Sequence, residues 1–332
     1  MAKLIVVTGA TGQLGGSVAR RMLEKGWQVR AVTRNIQSDA AKALAARGAD
    51  LTTADYDNEA SLSKAFEYAI KSGIVQLTKA KGASAIFAVT NFWEHIQTLG
   101  DHGAGQKEYD QILRIASAAG KTASLDHFVL HSLPSGEKLA GKDYLVPHWD
   151  YKDKAADEIQ RSLPELAKKT TFLWVGWFAS NFHNPLMRPV EIPGGYGAHT
   201  WMQPCKPSTI IWISEIENNV GTFVAAILTK PDVSLPAKYC MVATDIVKYV
   251  DALKLWGEVT GKRVQYVQCT PEEWEGIWGL YGKEIYQQLS LNEVAEDWGK
   301  AHAGRVIGAK ELGIQSDLLD LRQALERDRD SL

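Results

Sequence analysis

The sequence predicts an α/β fold: a doubly wound parallel sheet with a smaller α/β lobe in its C-terminal part. Three observations carry the prediction. Leu4 to Val7 is a continuous apolar, partly β-branched run, as a strand buried on both faces requires. It leads directly into Gly9-Ala10-Thr11-Gly12-Gln13-Leu14-Gly15, a G-x-x-G-x-x-G loop, and then into a helical pattern in which Leu14, Val18 and Met22 recur every fourth residue. From there strand-like and helix-like stretches alternate as far as Val175, the pattern of a sheet wound on both faces.

Element by element, the first helix closes at Gly26 and Gln28 to Thr33 supplies the second strand. Ser38 to Arg47 reads as an alanine-rich helix ending at Gly48, and Asp50 to Ala54 as the third strand. Glu59 to Ile70 reads as a helix capped by Asp57 or Asn58, which Lys71 to Gly82 prolongs or follows with a turn. Ala85 to Val89 is the fourth strand, and Gly103 and Gly105 mark a break before a helix from Gln106 to Ala119. Leu125 to Leu130 is the fifth strand, His148 opens a helix to Leu163, and Thr171 to Val175 is the sixth strand. Beyond Asn181 an irregular segment carries five prolines between Pro185 and Pro207 together with many aromatics. Strands at Ile210 to Ile213, Tyr239 to Val242 and Arg263 to Cys269 are then expected, with helices at Glu215 to Leu228 and Thr244 to Thr260. Pro271 suits the first turn of another helix, and Lys283 to Lys300 and Gln315 to Arg327 are amphipathic helical stretches. Residues 1–180 are thus expected to form one domain and 181–332 a smaller substrate lobe packed on it, not an independent domain.

The strand–glycine loop–helix unit points to a Rossmann-type dinucleotide site. One glycine turns the chain, one lets backbone N–H groups approach a pyrophosphate, and one lets the helix pack closely on the strand. The helix N-terminus adds unpaired donors and a positive dipole end. The second strand ends Ala31-Val32-Thr33-Arg34-Asn35, with no acid to hold a ribose 2′-OH. Arg34 instead offers a planar fork for a 2′-phosphate, so NADP(H) is expected in preference to NAD. Asp55 and Tyr56, at the carboxyl end of the third strand, are placed to flank the adenine. Thr90, Asn91, Phe92 and Trp93 follow the fourth strand, beside the loop of the first, where the nicotinamide half would lie.

Composition narrows the class. The chain has 332 residues, 45% hydrophobic and 23% charged, and a net charge of −2. Those values are ordinary for a globular protein, and no basic stripe marks a nucleic-acid partner. The first strand begins so early that no signal peptide is expected, and no apolar run is long enough for a membrane span, so a cytoplasmic protein is expected. Three widely spaced cysteines, Cys205, Cys240 and Cys269, suggest neither a disulfide framework nor a zinc site, and the eight histidines show no metal-ligand spacing. No metal is expected.

With these pieces in place, the chain resembles the NmrA-like family, atypical members of the short-chain dehydrogenase/reductase superfamily, and most of all its fungal members. The stretches that carry the resemblance are VTGATGQLGGSVAR, the Thr33-Arg34 turn, FAVTNFWE, VLHSLPSGEK, PHWDYK and VGWFASNF. It implies that Gly9, Thr11, Gly12, Gln13, Leu14, Gly15 and Arg34 bind NADP(H), that Thr90 to Phe92 line the nicotinamide side, and that Lys152 holds the nicotinamide ribose. Val175, Gly176, Trp177, Phe178 and Asn181 would border the cofactor and pocket. The family includes both reductases and cofactor-sensing regulators.

One departure matters. Active members of the superfamily carry Tyr-x-x-x-Lys, whereas here His148 stands four residues before Lys152. Tyr151 is adjacent to the lysine and would point roughly 100° away on a helix. His148 is therefore either a replacement acid or simply a residue of the helix start after Pro147. Ser132 and Ser135 either polarise a substrate oxygen or make loop and cap hydrogen bonds. Eleven tryptophans include Trp93, Trp149, Trp177 and Trp274, which either wall an aromatic pocket or serve the core. The expected function is NADP(H)-dependent reduction of a bulky apolar or aromatic small molecule at C=N or C=O, with cyclisation a variant, in fungal natural-product biosynthesis. The alternative is a catalytically silent NADP(H) sensor that binds a partner protein.

Overall fold

In the computed structural model the described residues are 3–67 and 82–332. The first half runs β1 (Leu4–Val7), α1 (Gln13–Glu24), β2 (Gln28–Val32), α2 (Asp39–Ala46), β3 (Asp50–Thr52), α3 (Glu59–Phe66), β4 (Ala85–Ala88), α4 (Ile96–Gly120), β5 (His127–Ser132), α5 (Gly136–Ala140), α6 (Pro147–Ser162), α7 (Pro164–Ala167) and β6 (Thr170–Val175). The second half continues with β7 (Trp177–Phe178), β8 (Val190–Glu191), β9 (Ala198–Gln203), β10 (Ile210–Ser214), α8 (Ile216–Thr229), α9 (Pro231–Ser234), β11 (Lys238–Val242), β12 (Asp245–Lys248), α10 (Tyr249–Thr260), β13 (Arg263–Gln268), α11 (Pro271–Asn292), β14 (Val306–Ile307), α12 (Ala309–Leu312) and α13 (Leu321–Asp328).

Among the described residues eight parallel strands form the central sheet, in the order β3-β2-β1-β4-β5-β6-β11-β14. The chain winds outward from β1 to β3, then returns to β4 and winds the other way, so the switch point lies between β1 and β4. Strand alternation feeds two cores. Ile5 and Val7 pack with Leu14, Val18 and Met22 of α1 and with Val220, Phe223 and Val224 of α8. Val6 and Ile86 face the other way, toward Ile112 and Ile115 of α4 and Ala155 and Ile159 of α6. A third core lies between β7, β9, β10, α10 and α11.

The 180/181 division does not coincide with an edge of the central sheet, because β11, β14 and α8 lie beyond it in sequence yet belong to that sheet and its helical layer. Asn58, not Asp57, caps α3, accepting from the Ser61 amide at 3.1 Å, and that helix is described as far as Phe66, the expected end at Ile70 lying outside the described residues. The expectation for Lys71 to Gly82 lies, but for Gly82, outside the described residues.

Other expectations are corrected. The break placed at Gly103 and Gly105 falls at Gly100 (φ 70°, ψ 178°), and the helix continues through the other two. Gly105 is there for packing, since a Cβ would lie 2.1 Å from Tyr151 Cδ2 of α6. The first residues of the helix expected from Thr244 form β12, antiparallel to β10. The stretch from Lys283 belongs to α11, which kinks at Gly279 and ends at Asn292.

Helix α8 meets α1 backbone to side chain: a Cβ on Gly221 would lie 2.5 Å from the Ser17 carbonyl oxygen, and the Gly221 N–H donates to Ser17 Oγ at 2.9 Å. Gly221→Ala is therefore expected to destabilise the fold by about 1–3 kcal/mol, read as a lower urea midpoint with an unchanged denaturant slope.

Candidate functional site

At the switch point the carboxyl ends of the strands open into a cavity of about 930 Å³. Its floor is the glycine loop, which is held on both sides. Thr8 Oγ1 accepts from the Val89 amide at 2.8 Å, the Ala10 amide donates to Val32 O at 3.2 Å, and the Gly9 N–H donates to the Tyr56 hydroxyl at 2.9 Å. Burial pushes the Tyr56 hydroxyl above its ordinary pKa, so it stays neutral. A Cβ on Gly15 would lie 2.3 Å from Gly9 O, so only glycine allows the first turn of α1 to close on the loop. Gly12, the N-cap of α1, has no side chain to cap the first-turn amides, which leaves them for an anion.

Arg34 stands at the rim with its side chain 82% exposed, and its Nη1 donates to Glu94 Oε2 at 2.6 Å. Because Arg34 follows β2 and Glu94 follows β4, this pair spans the end of β1 between them. Asp55, Tyr56, Thr90, Asn91 and Trp93 line the same cavity. A glycine cradle without a side-chain cap, a cleft of this size and a cation at the ribose end together fit a dinucleotide.

A second cavity, about 440 Å³, adjoins the first and shares Gln13, Leu14, Thr90, Asn91, Trp93 and Phe178 with it. Phe92, Trp149, Val175, Gly176, Trp177 and Asn181 also line it. Its wall is aromatic: Trp93 lies 4.9 Å from the His148 ring and stacks on Tyr281 at 5.9 Å, and Trp149 meets Trp298 edge to face at 4.7 Å.

The buried polar groups in this wall are Thr90, His131, His148 and Lys152. Lys152, 4% exposed, is ion-paired with Glu108, and its Nζ lies 3.4 Å from Thr90 Oγ1, which itself donates to Glu108 at 2.8 Å. His148 Nδ1 lies 2.6 Å from Glu284 Oε1, the same oxygen accepts the His148 backbone N–H at 2.8 Å, and Nε2 lies 3.2 Å from the Gln288 amide oxygen. His131 also lines this cavity, and its buried Nδ1 has no hydrogen-bond partner among the described residues. Burial, with Lys152 and His148 nearby, holds the His131 imidazole well below its usual pKa, so it is neutral.

The structure thus brings His148 and Lys152 together but leaves Ser132 out of both cavity walls. Alternation along β5 gives the wall to His131 and Leu133, while the Ser132 hydroxyl is buried against Leu133 O. Ser135 donates to Asp150 and caps α5. Trp274 lines neither cavity; it is a core residue whose indole N–H donates to Gly282 O at 3.1 Å. Sequence reasoning missed His131, Glu94, Glu108 and Glu284. For two of them a signal was present: Glu108 shares a helical stripe with Ile112 and Ile115, and Glu284 with Gln288 and Leu291, so each is a carboxylate on an inward face.

Among the described residues, Asp153, Asp157 and His302 form a cluster with metal-ligand reach, but Lys138 pairs with both carboxylates, at 2.6 and 2.7 Å, and supplies the positive charge itself. All three cysteines are free thiols, and no helix among the described residues is long and apolar enough to cross a membrane.

Comparison with known proteins matches the model of the NmrA-like family to residues 1–312. The chain is 26% identical over 322 residues to the NmrA-like family domain-containing oxidoreductase lnaB of Aspergillus flavus, covering 95% of this chain and 88% of that one. It is 27% identical to the oxidoreductase himF of Aspergillus japonicus over 88% of this chain and 85% of that one. Among solved structures it resembles NmrA, a negative transcriptional regulator, in complex with NADP (TM-score 0.75, 19% identity, 99% and 96% of the two chains). It also resembles the triphenylmethane reductase of Citrobacter sp. complexed with NADP(H) (TM-score 0.68, 20% identity, 98% and 99%).

The rim pair gives a binding test. Arg34→Ala is expected to weaken NADPH roughly tenfold or more and to leave NADH nearly unchanged, because a charge-assisted hydrogen bond to the 2′-phosphate is lost. Glu94→Gln removes the carboxylate that competes for Arg34 and is expected to tighten NADPH; fluorescence titration of each variant with both dinucleotides reads the outcome.

Proposed function

The chain belongs to the NmrA-like family, and on that footing we propose that it is an NADP(H)-dependent oxidoreductase of a bulky apolar or aromatic substrate, reduced at C=O or C=N. The observation that carries the reading is the aromatic second cavity, which continues from the dinucleotide cleft and presents an ammonium and two imidazoles to it. The relatives named as oxidoreductases support it, and their fungal sources favour a place in natural-product biosynthesis.

When bound, the cofactor supplies hydride. The glycine loop and α1 N-terminus hold its pyrophosphate, and Arg34 its 2′-phosphate. Lys152 has three N–H donors; Glu108 and Thr90 engage two, which supports the third as the donor to a ribose hydroxyl. Trp93, Trp149 and Trp177 exclude water and hold a flat substrate against the nicotinamide side. His148 occupies the tyrosine position of the superfamily pattern and is the proton donor in this reading.

Consumption of NADPH with a panel of aryl ketones, quinones and cyclic imines tests the proposal. Binding of NADPH without turnover of any of them would favour the cofactor-sensing alternative, for which the absent tyrosine speaks. Lys152 gives a second test. Lys152→Met is expected to lose turnover and about 3–5 kcal/mol of stability, since Glu108 is left buried and unpaired. Adding Glu108→Leu is expected to restore the urea midpoint but not turnover, separating the structural role of the pair from the ribose contact.

A further inference from the structure

We propose that Glu284 and His148 form a carboxylate–imidazole dyad that delivers a proton to a carbonyl oxygen of the substrate, with His131 as a second hydrogen-bond donor to that oxygen. The inference deepens the oxidoreductase reading and rests on it.

Glu284 is fully buried on α11, and one of its oxygens receives both the backbone N–H and Nδ1 of His148. The oxygen that accepts the His148 backbone N–H is an acceptor toward the ring as well, so Nδ1 donates to it and the reactive atom is Nε2. His148 lines the second cavity, and its ring is fixed by Trp93 at 4.9 Å and Phe92 at 5.7 Å. The Gln288 amide at Nε2 suits either state of that nitrogen, offering its oxygen to Nε2–H or, after a flip, its NH₂ to a bare Nε2. This is the orienting arrangement of a hydrolytic triad applied to proton delivery.

His131 supplies the second observation. It is 8% exposed, lines the same cavity, and its Nδ1 has no partner among the described residues. Nδ1 is itself shut off from the cavity, so the single N–H of the neutral imidazole reaches a substrate oxygen when Nε2 carries it. Two histidines in different surroundings thereby take different tasks, one moving a proton and one polarising.

This division chooses between the two acceptor classes. Hydride from a dihydronicotinamide would add to the carbonyl carbon of a ketone, or to the conjugated ring carbon of a quinone; the displaced π pair moves to the carbonyl oxygen, that oxygen takes the Nε2 proton to become a hydroxyl, and the quinone adduct enolises to the hydroquinone. His148 is left with its Nδ1–H to Glu284 and regains the Nε2 proton from solvent. A carbonyl oxygen has lone pairs for both histidines, whereas an iminium nitrogen has none and brings its own charge beside Lys152. The substrate is therefore a ketone or quinone.

The dyad can be read without turnover. In protein labelled with ¹⁵N-histidine and loaded with NADP⁺, the His148 signals, assigned from their loss in His148→Gln, are expected to show a protonated Nδ1 and a bare Nε2 at alkaline pH. The opposite tautomer would overturn the dyad, whatever the activity. In the second arm, Glu284→Gln is expected to lower kcat for a quinone such as menadione by about tenfold or more at unchanged NADPH affinity. Equal turnover by the variant would overturn the proton path. Because that variant could fail to fold, the wild-type tautomer stands as the independent readout. Reduction of a cyclic iminium but of no ketone or quinone would overturn the carbonyl assignment. If wild type binds NADPH and reduces nothing, the oxidoreductase reading fails, and with it proton delivery, while the tautomer still decides whether the pair exists.

Discussion

The buried pair of Lys152 and Glu108 is the constraint around which the site is arranged. It joins α6 to α4 and, through Thr90, both helices to the loop after β4. Withdrawing two charges from water is unfavourable, and only close geometry with further hydrogen bonds offsets the cost. The neighbouring contact of Gly105 with the Tyr151 ring lets the two helices approach closely. Once α6 is fixed in this way, His148 follows without freedom, because it stands one helical turn before Lys152 and so faces the same cavity.

The second helix to reach the cavity comes from far along the chain. Glu284 lies 136 residues from His148, and the part of α11 after the Gly279 kink carries it there. Lys283 of the same turn pairs with Asp101 of α4 at 2.6 Å, so α11 is tied to the element that supplies Glu108. Both buried carboxylates thus depend on α4, one by belonging to it and one by docking against it. The result is a mostly apolar wall in which Lys152 and His148 are each held by a carboxylate of their own. In such a low-dielectric setting these interactions are stronger than in water, and an unpaired group is correspondingly costly.

What the sequence made legible was local. The glycine loop, the strand and helix alternation to Val175, the ends of α1 and α2, and the position of Arg34 all follow from neighbours within a few residues. What it hid depended on distant partners or on phase. The DIVK stretch of β12 is compatible with a helix start, and only antiparallel pairing with β10 makes it a strand. A tryptophan at Trp274 and one at Trp149 look alike in sequence, yet tertiary packing sends the first to the core and the second to the cavity wall. The tail of the sheet was hidden for the same reason: β11 and β14 are short, and nothing local says that they extend a sheet begun more than two hundred residues earlier.

The end of β5 shows how much turns on a single residue of phase. Successive side chains of a strand face opposite ways, so a site at its carboxyl end takes either Ser132 or His131, not both. Sequence offered Ser132 either as a polarising hydroxyl or as a loop hydrogen-bonding group, and the backbone gives the wall to the histidine. The same substitution of imidazole for hydroxyl occurs at the start of α6, where His148 stands in the tyrosine position. A tyrosine there would draw its acidity from the lysine one turn later, but Glu108 already occupies that ammonium. An imidazole backed by its own carboxylate needs no such help. The imidazole in the tyrosine position and the engagement of Lys152 by Glu108 are therefore two sides of one arrangement, in which each of the two groups has its own buried carboxylate.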